Sequence, residues 1–208
     1  MRLLQFPYSP FAAKLRTILK LKSLPCEIVD VPYLQRGELV KLTGAIYVPV
    51  LQDGETVISD SARIARYLDA KGGPTMYGDP LAVVLEQWAD EYFEEVAFKL
   101  ACPGLEEKMG RDQGDEAKAL FRLIKERRYG NGIIAQWKKD EAQWKEQTLS
   151  LLAPIVDTLK KRTWLLGDAP SIADAAVASQ LTMVEFAFPE FVARNAPSLS
   201  AWYAKLRH

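Results

Sequence analysis

The strongest constraint on this chain is a change of hydrophobic period about a third of the way along. Up to the break at Lys71, apolar residues alternate between strand-like and helix-like spacing. Beyond Pro80 they recur at helical spacing only, and the ten residues between include Gly72, Gly73, Pro74, Gly78 and Pro80. Leu3 to Phe6 reads as a strand, and Phe11, Leu15, Ile18 and Leu19 as one face of a helix. Cys26 to Val31 reads as an inner strand that stops at Pro32, and a weaker helical pattern surrounds Leu39 and Val40. Tyr47 to Leu51 and Thr56 to Ile58 flank Asp53-Gly54, a pair suited to the central positions of a type I′ hairpin turn. Ser61, Ile64, Ala65 and Leu68 share a helix face behind Ser59-Asp60. The order is β-α-β-α-β-β-α, an α/β domain over residues 1–73, joined by a linker at 74–80 to an all-α domain at 81–208.

In the helical part, the stripe Leu81, Val84, Trp88, Tyr92 with Leu85, Ala89, Phe93 and Ala97 predicts a helix packed along its whole length, ending at Cys102-Pro103-Gly104. Residues 115–129 form a second helix with Gly130 as its stop. A third pattern runs from Ile133 to Leu159, with a kink or split expected at Pro154. Ser171 and Asp174 fit a capping box, and the helix behind them is apolar on nearly every face, which predicts the buried centre of the helical half. A last short helix uses Leu199, Trp202, Tyr203 and Leu206.

Composition excludes several classes of function. Basic and acidic residues balance at 27 each, so nothing global attracts nucleic acid or an anionic membrane. No apolar run approaches the ~18 residues of a membrane span. Cys26 and Cys102 lie far apart without a CxxC, against a disulfide framework or cysteine zinc site, and Cys26 reads as a small core residue. The single histidine is the last residue, His208, which argues against a Ser-His-Asp triad or a histidine metal site. The expectation is a soluble, unprocessed cytoplasmic protein that holds no metal.

Three places carry candidate chemistry. Ser9-Pro10 has the residue types of a helix start, Ser at the N-cap and Pro at the first helical position, with a second hydroxyl beside it on Tyr8. Pro49 interrupts an apolar strand, where it removes a ladder donor and marks an edge or a special bend. Asp60-Ser61 opens a helix, whose free amides favour an anion.

Together, Ser9-Pro-Phe-Ala12, Val48-Pro49-Val50-Leu51, Asp60-Ser61 and Gly167-Asp-Ala-Pro-Ser-Ile-Ala-Asp174 make the chain resemble the cytosolic glutathione S-transferase superfamily over nearly its whole length. The resemblance implies a thioredoxin-like N-terminal domain followed by an all-helical bundle, and a homodimer. It also implies glutathione as co-substrate and a small, hydrophobic electrophile as partner. It makes the Val48-Pro49 bond cis, with Val48 pairing its backbone with the cysteinyl part of glutathione. Asp60 and Ser61 then receive the γ-glutamyl group. Lys41 is the candidate for the glycyl carboxylate, although the interval from Gly44 to Pro49 is longer than the family's Gly-x-Val-Pro. Ser9 stands where related subfamilies carry a catalytic serine or cysteine, and Tyr8 is the alternative donor. Lowering a thiol pKa by about two units requires roughly 2.7 kcal/mol of thiolate stabilisation. A hydroxyl donor to a charged partner supplies about 1.5–3 kcal/mol and a helix terminus about 0.3–1, so no histidine is needed. A glutathione-transferase-like binding or assembly protein without chemistry is the alternative.

Overall fold

The computed structural model describes residues 1–207; the expectation for His208 lies outside them. Its first part comprises β1 (Arg2–Gln5), α1 (Pro10–Leu21), β2 (Glu27–Asp30), α2 (Gly37–Thr43), β3 (Val50–Asp53), β4 (Thr56–Ser59) and α3 (Ser61–Asp69). The sheet order is β2-β1-β3-β4, with β1 parallel to β2 and antiparallel to β3, and β3 antiparallel to β4. The period-two rule divides its core. Leu3 and Leu51 pack with Leu15, Ile18, Ile64 and Leu68 of α1 and α3, whereas Leu4 and Val50 join the core that continues into the helical part.

The register also gathers the loops. Leu4 pairs with Val29 and Val50, and Val50 with Ser59. The exits of β1, β2 and β4 and the entrance of β3 therefore share one rim of the sheet.

Two expectations in this part are corrected. Asp53 pairs with Thr56, so the hairpin loop is Gly54-Glu55, with positive φ at Gly54 (58°) and not at Glu55, the pattern of a type II′ turn. Asp53 stays in the ladder, where its carboxylate accepts from the Tyr67 hydroxyl (2.8 Å) and pairs with Lys71. Cys26 leads into an edge strand, because α1 returns the chain outside β1 while β3 takes the other side.

The segment after α3 is fastened at several points. The Lys22 ammonium donates to the carbonyls of Asp69, Gly72 and Pro74, the Asp69 carboxylate accepts from the Thr75 hydroxyl and Met76 amide, and the Ile172 amide donates to the Met76 carbonyl. Beyond it lie α4 (Pro80–Gln87), a π-helical stretch Trp88–Phe93, α5 (Glu94–Gln113), α6 (Asp115–Tyr129), α7 (Ile133–Lys139) and α8 (Glu141–Leu159). They are followed by α9 (Ile172–Ala187), α10 (Phe191–Asn195), a 3₁₀ turn Pro197–Leu199 and α11 (Ser200–Leu206). No described helix is long and apolar enough to cross a membrane.

Here too the structure departs from the pattern. Helix α5 runs on through Pro103 to Gln113, because Cys102, Leu105 and Met109 continue its buried face, and packing overrides the missing hydrogen bond. Gly104 is where α9 comes close: a Cβ there would stand 3.0 Å from that of Ala187. The third pattern breaks at Asp140, while Pro154 lies inside α8. The short α10 has no forerunner in the periodicity. Ala82, Ala89, Phe93 and Ala97 are buried, whereas Leu81, Val84 and Tyr92 are 58–60% exposed. The inward stripe is thus Ala82, Ala89, Phe93 and Ala97, while Leu81, Val84 and Tyr92 face out.

Helix α9 is the hub, packing on α1, α4 and α5, and Ala173, Ala175, Ala176 and Ala178 permit the close approach. Its start is set by Asp174, fully buried. One oxygen accepts from the Ser171 amide and hydroxyl (both 2.9 Å), the other from the Leu165 amide (3.0 Å) and the Trp202 indole (2.9 Å). Helix α1 is held across the same junction. Lys14, fully buried, pairs with Glu86 (2.8 Å) and Asp90, and the Thr17 hydroxyl donates to the Leu206 carbonyl (3.1 Å).

Because Asp174→Asn places two amide hydrogens among four donors, it is expected to lower unfolding free energy by at least about 3 kcal/mol, read from urea denaturation.

Candidate functional site

The shared rim carries a capped helix start and two unusual backbone features. Ser9 (φ −67°, ψ 120°) caps α1, its Oγ accepting from the Ala12 amide at 3.3 Å, and Pro10 opens the helix. The Ser9 side chain is nearly buried, so its hydroxyl and the free amides of α1 lie together at the loop after β1. The Val48-Pro49 bond is cis and leads directly into β3. The Val48 peptide makes no hydrogen bond to any described residue, which leaves a donor and an acceptor open to an added extended segment. Asp60 adopts φ 83°, ψ 119°, in the region where a side chain is strained, while its Oδ1 accepts from the Arg63 amide at 2.9 Å. Such strain costs about 1–3 kcal/mol and collects at binding sites. Ser61 follows as the first residue of α3.

The rim thus brings together Ser9, Val48, Pro49, Asp60 and Ser61. Lys41 lies on the exposed last turn of α2 and makes no ion pair among the described residues. The cation that turns inward on this side is Arg36, which periodicity had no means of marking. Its Nε donates to the Tyr33 carbonyl (2.8 Å) and its Nη1 to the Ile46 carbonyl (3.5 Å), while the buried Nη2 has no partner among the described residues. The guanidinium lies 4.1 Å over the Tyr33 ring and 5.0 Å over Phe6. It joins the loop after β2 to the loop that precedes the cis bond.

Tyr8 points elsewhere. Its ring is stacked on Phe6 (5.7 Å) and meets Phe121 and Phe186 (both 6.1 Å). It lines a cavity of about 350 Å³ between the sheet loops and the helices, with Pro7 and Val31 on its own side and Leu105, Met109 and Phe186 opposite. Lys108 and Asp112, paired at 3.2 Å, stand at the mouth. Burial pushes the Tyr8 phenol well above the ordinary tyrosine range; the neighbouring Tyr33 hydroxyl adds to this and the Arg36 charge opposes it. Tyr8 is therefore a neutral hydroxyl at any ordinary pH.

Behind this wall, the seam between α5 and α6 holds ionisable groups that no motif revealed. Burial drives Cys102 up to about 12, so its thiol stays protonated and unreactive. Burial also lowers Lys125, whose ammonium lies 4.7 Å over Phe98 and 5.3 Å over Phe121, and raises Glu94 to about 7 against the opposing charges of Lys125 and Arg128.

Residues 3–75 match the family description "Glutathione S-transferase, N-terminal domain" and residues 116–205 match "Glutathione S-transferase, C-terminal domain". Glutathione S-transferase U17 of Arabidopsis thaliana is 25% identical over 205 residues, covering 93% of this chain and 80% of that protein. Glutathione S-transferase U4 of the same plant is 29% identical over 131 residues, and the match spans 59% of this chain and only 58% of the relative's length. Among solved structures, a glutathione S-transferase from Methylobacterium radiotolerans in complex with glutathione sulfonate superposes with a TM-score of 0.64 at 25% identity, over 99% of this chain and 89% of that one.

Glu94 gives a signed pH dependence. Its folded pKa, about 7, exceeds the ordinary 4.5, so the unfolded chain releases this proton first and stability falls as pH rises between those values. Glu94→Gln is expected to gain stability over the parent progressively through that window and to hold a constant gain above it, measured by thermal unfolding at stepped pH.

Proposed function

The chain belongs to the glutathione S-transferase superfamily, and we propose that it is an active transferase that ionises the thiol of bound glutathione for attack on a small apolar electrophile. One observation carries this: the amino end of α1, the unpaired Val48 peptide and the strained amino end of α3 converge on one rim of the sheet. That convergence suits an extended tripeptide. Its γ-glutamyl carboxylate would meet Ser61 and the α3 amides, its cysteinyl backbone would pair with Val48 beside Pro49, and its sulfur would lie at Ser9. Asp60 would take the α-ammonium, since its second oxygen is not engaged by the cap. Lys41 remains the candidate for the glycyl carboxylate, now joined by Arg36 with its unpartnered Nη2.

At Ser9, thiolate formation would draw on a hydroxyl donor and on the positive end of α1 together. The Ser9 hydroxyl accepts from Ala12 and keeps its own proton free to donate, so the cap and the thiolate are not in competition. The product of this step is a thiolate facing the cavity beyond Tyr8, whose apolar lining suits a hydrophobic second substrate. The fold division at 74–80 would place the tripeptide on residues 1–73 and the electrophile against residues 81–208. The two free cysteines fit a cytoplasmic setting.

We further propose a homodimer formed through the outward face of Leu81, Val84 and Tyr92, which is apolar and exposed in the single chain. A glutathione-transferase-like binding protein without chemistry is favoured by one fact, the near burial of Ser9.

The parent protein is expected to be retained on immobilised glutathione, to be released by free glutathione, and to show thiolate absorbance when glutathione is added. Ser9→Ala should lower conjugation at least about tenfold, with binding near normal; retention without thiolate absorbance would leave the non-catalytic alternative standing. Val84→Glu should convert the dimer to monomer in sedimentation velocity, because it sets a charge in the centre of that face.

A further inference from the structure

Glu94, Phe98 and Cys102 stand four apart on α5 and so share one face of that helix, and α6, packed against it, brings up Phe121, Lys125 and Arg128. In this seam the Lys125 ammonium lies over two rings, 4.7 Å from the centre of Phe98 and 5.3 Å from that of Phe121. It makes no ion pair or hydrogen bond among the described residues, and solvent still reaches its Nζ. Lys14, also buried, shows the usual solution, since Glu86 and Asp90 replace the water that it loses. Nothing comparable holds Lys125 in its charged form. Ring faces attract an ammonium by about 0.5–2 kcal/mol. Against that stand its lost hydration and the like charges of Arg128 on the same helix and Arg36 on the loop after β2, and the outcome is a lysine lowered from its ordinary value. The groups that oppose this are Cys102, which burial drives up to about 12, and Glu94, raised to about 7. The first carries no charge at ordinary pH, and the second loses its charge below about 7.

A desolvated amine beside other cations is the setting in which lysine acts as a nucleophile. We propose that Lys125 is such a group: it condenses with small apolar aldehydes to form an imine in the seam between α5 and α6. The lone pair of the neutral amine forms the nitrogen–carbon bond, and the carbonyl π pair moves onto oxygen, which takes up a proton while nitrogen gives one up. Loss of water then leaves the carbon–nitrogen double bond. One amine and one aldehyde thus give one imine and one water, with no oxidant or reductant. Phe98 and Phe121, which flank the amine, offer apolar faces to the tail of the aldehyde. The reaction uses neither Ser9 nor bound glutathione, so it stands or falls separately from the transferase reading.

The test traps the imine in the whole parent protein with cyanoborohydride, which delivers hydride to the imine carbon while water protonates nitrogen, and locates the alkylated lysines by peptide mass spectrometry. With butanal at about pH 7, Lys125 is expected to react at least about tenfold faster than the exposed Lys41 and Lys139 in the same sample, because a lower proton affinity raises the neutral fraction of an amine in proportion. The advantage should vanish in urea, where the seam is gone. It should be larger with butanal than with formaldehyde, which has no tail to lay on the rings. Glu94→Gln should raise the Lys125 rate at about pH 8 and leave it unchanged at about pH 6, because only above about 7 does Glu94 carry the charge that holds a proton on Lys125. Lys125 reacting no faster than Lys41 and Lys139, an advantage that persists in urea, a smaller advantage with butanal than with formaldehyde, or no change at about pH 8 in Glu94→Gln would each overturn the proposal.

Discussion

The grip on helix α1 is the interaction on which the rest depends. This helix lies between the sheet and α9, and it starts at the rim where Ser9 sits. Burying Lys14 completely costs several kcal/mol of solvation, and Glu86 and Asp90 restore much of it through direct ion pairs. Thr17 adds a bond to the last turn of α11, so α1 is tied to two regions of the helical part that are distant in sequence, residues 86–90 and Leu206. The helix can then neither slide nor rotate without breaking a buried charge pair. A hydroxyl at its amino end inherits that rigidity.

The rim is built by a second constraint, strand direction. Because β3 runs against its neighbours, its entrance lies beside the exits of β1 and β4, and three short loops meet without any long excursion of the chain. Each loop exposes backbone polar groups that the sheet would otherwise consume. At Asp60 the conformation is one that a side chain adopts only under strain, and the surrounding fold sustains it. Polar backbone left free at the edge of a tightly packed sheet is a feature that a ligand can use, whichever of the two functional alternatives holds.

Adjacent residues part company at the helix start for a geometric reason. Ser9 takes the extended conformation of a cap, and its short side chain turns back to the first amides. Tyr8 precedes it in the loop, and its longer side chain reaches the aromatic cluster contributed by α6 and α9. One turn thus sets a helix cap on one side and an aromatic wall of the cavity on the other. The interior behind Tyr8 is notably ionisable, with Glu94, Cys102 and Lys125 all shifted toward their neutral forms by burial.

The order of the elements was legible in the chain because side-chain period is a local property, and so was the capping role of Ser9, Asp60 and Asp174, since residue type at a helix start answers to local amides. The resemblance supplied the expected roles of the rim residues, which spacing alone could not. Tertiary structure decided the remainder. Periodicity did not tell which side of the helix opened by α4 is buried, because its two apolar stripes look alike until a partner, here α9, selects one. Helix α5 continued through Pro103 because burial on both sides outweighed a single lost hydrogen bond. Arg36, Tyr33 and Phe186 reached the site from loops and helices that no local pattern connects, and the separation of Tyr8 from Ser9 appeared only once those distant rings were in place.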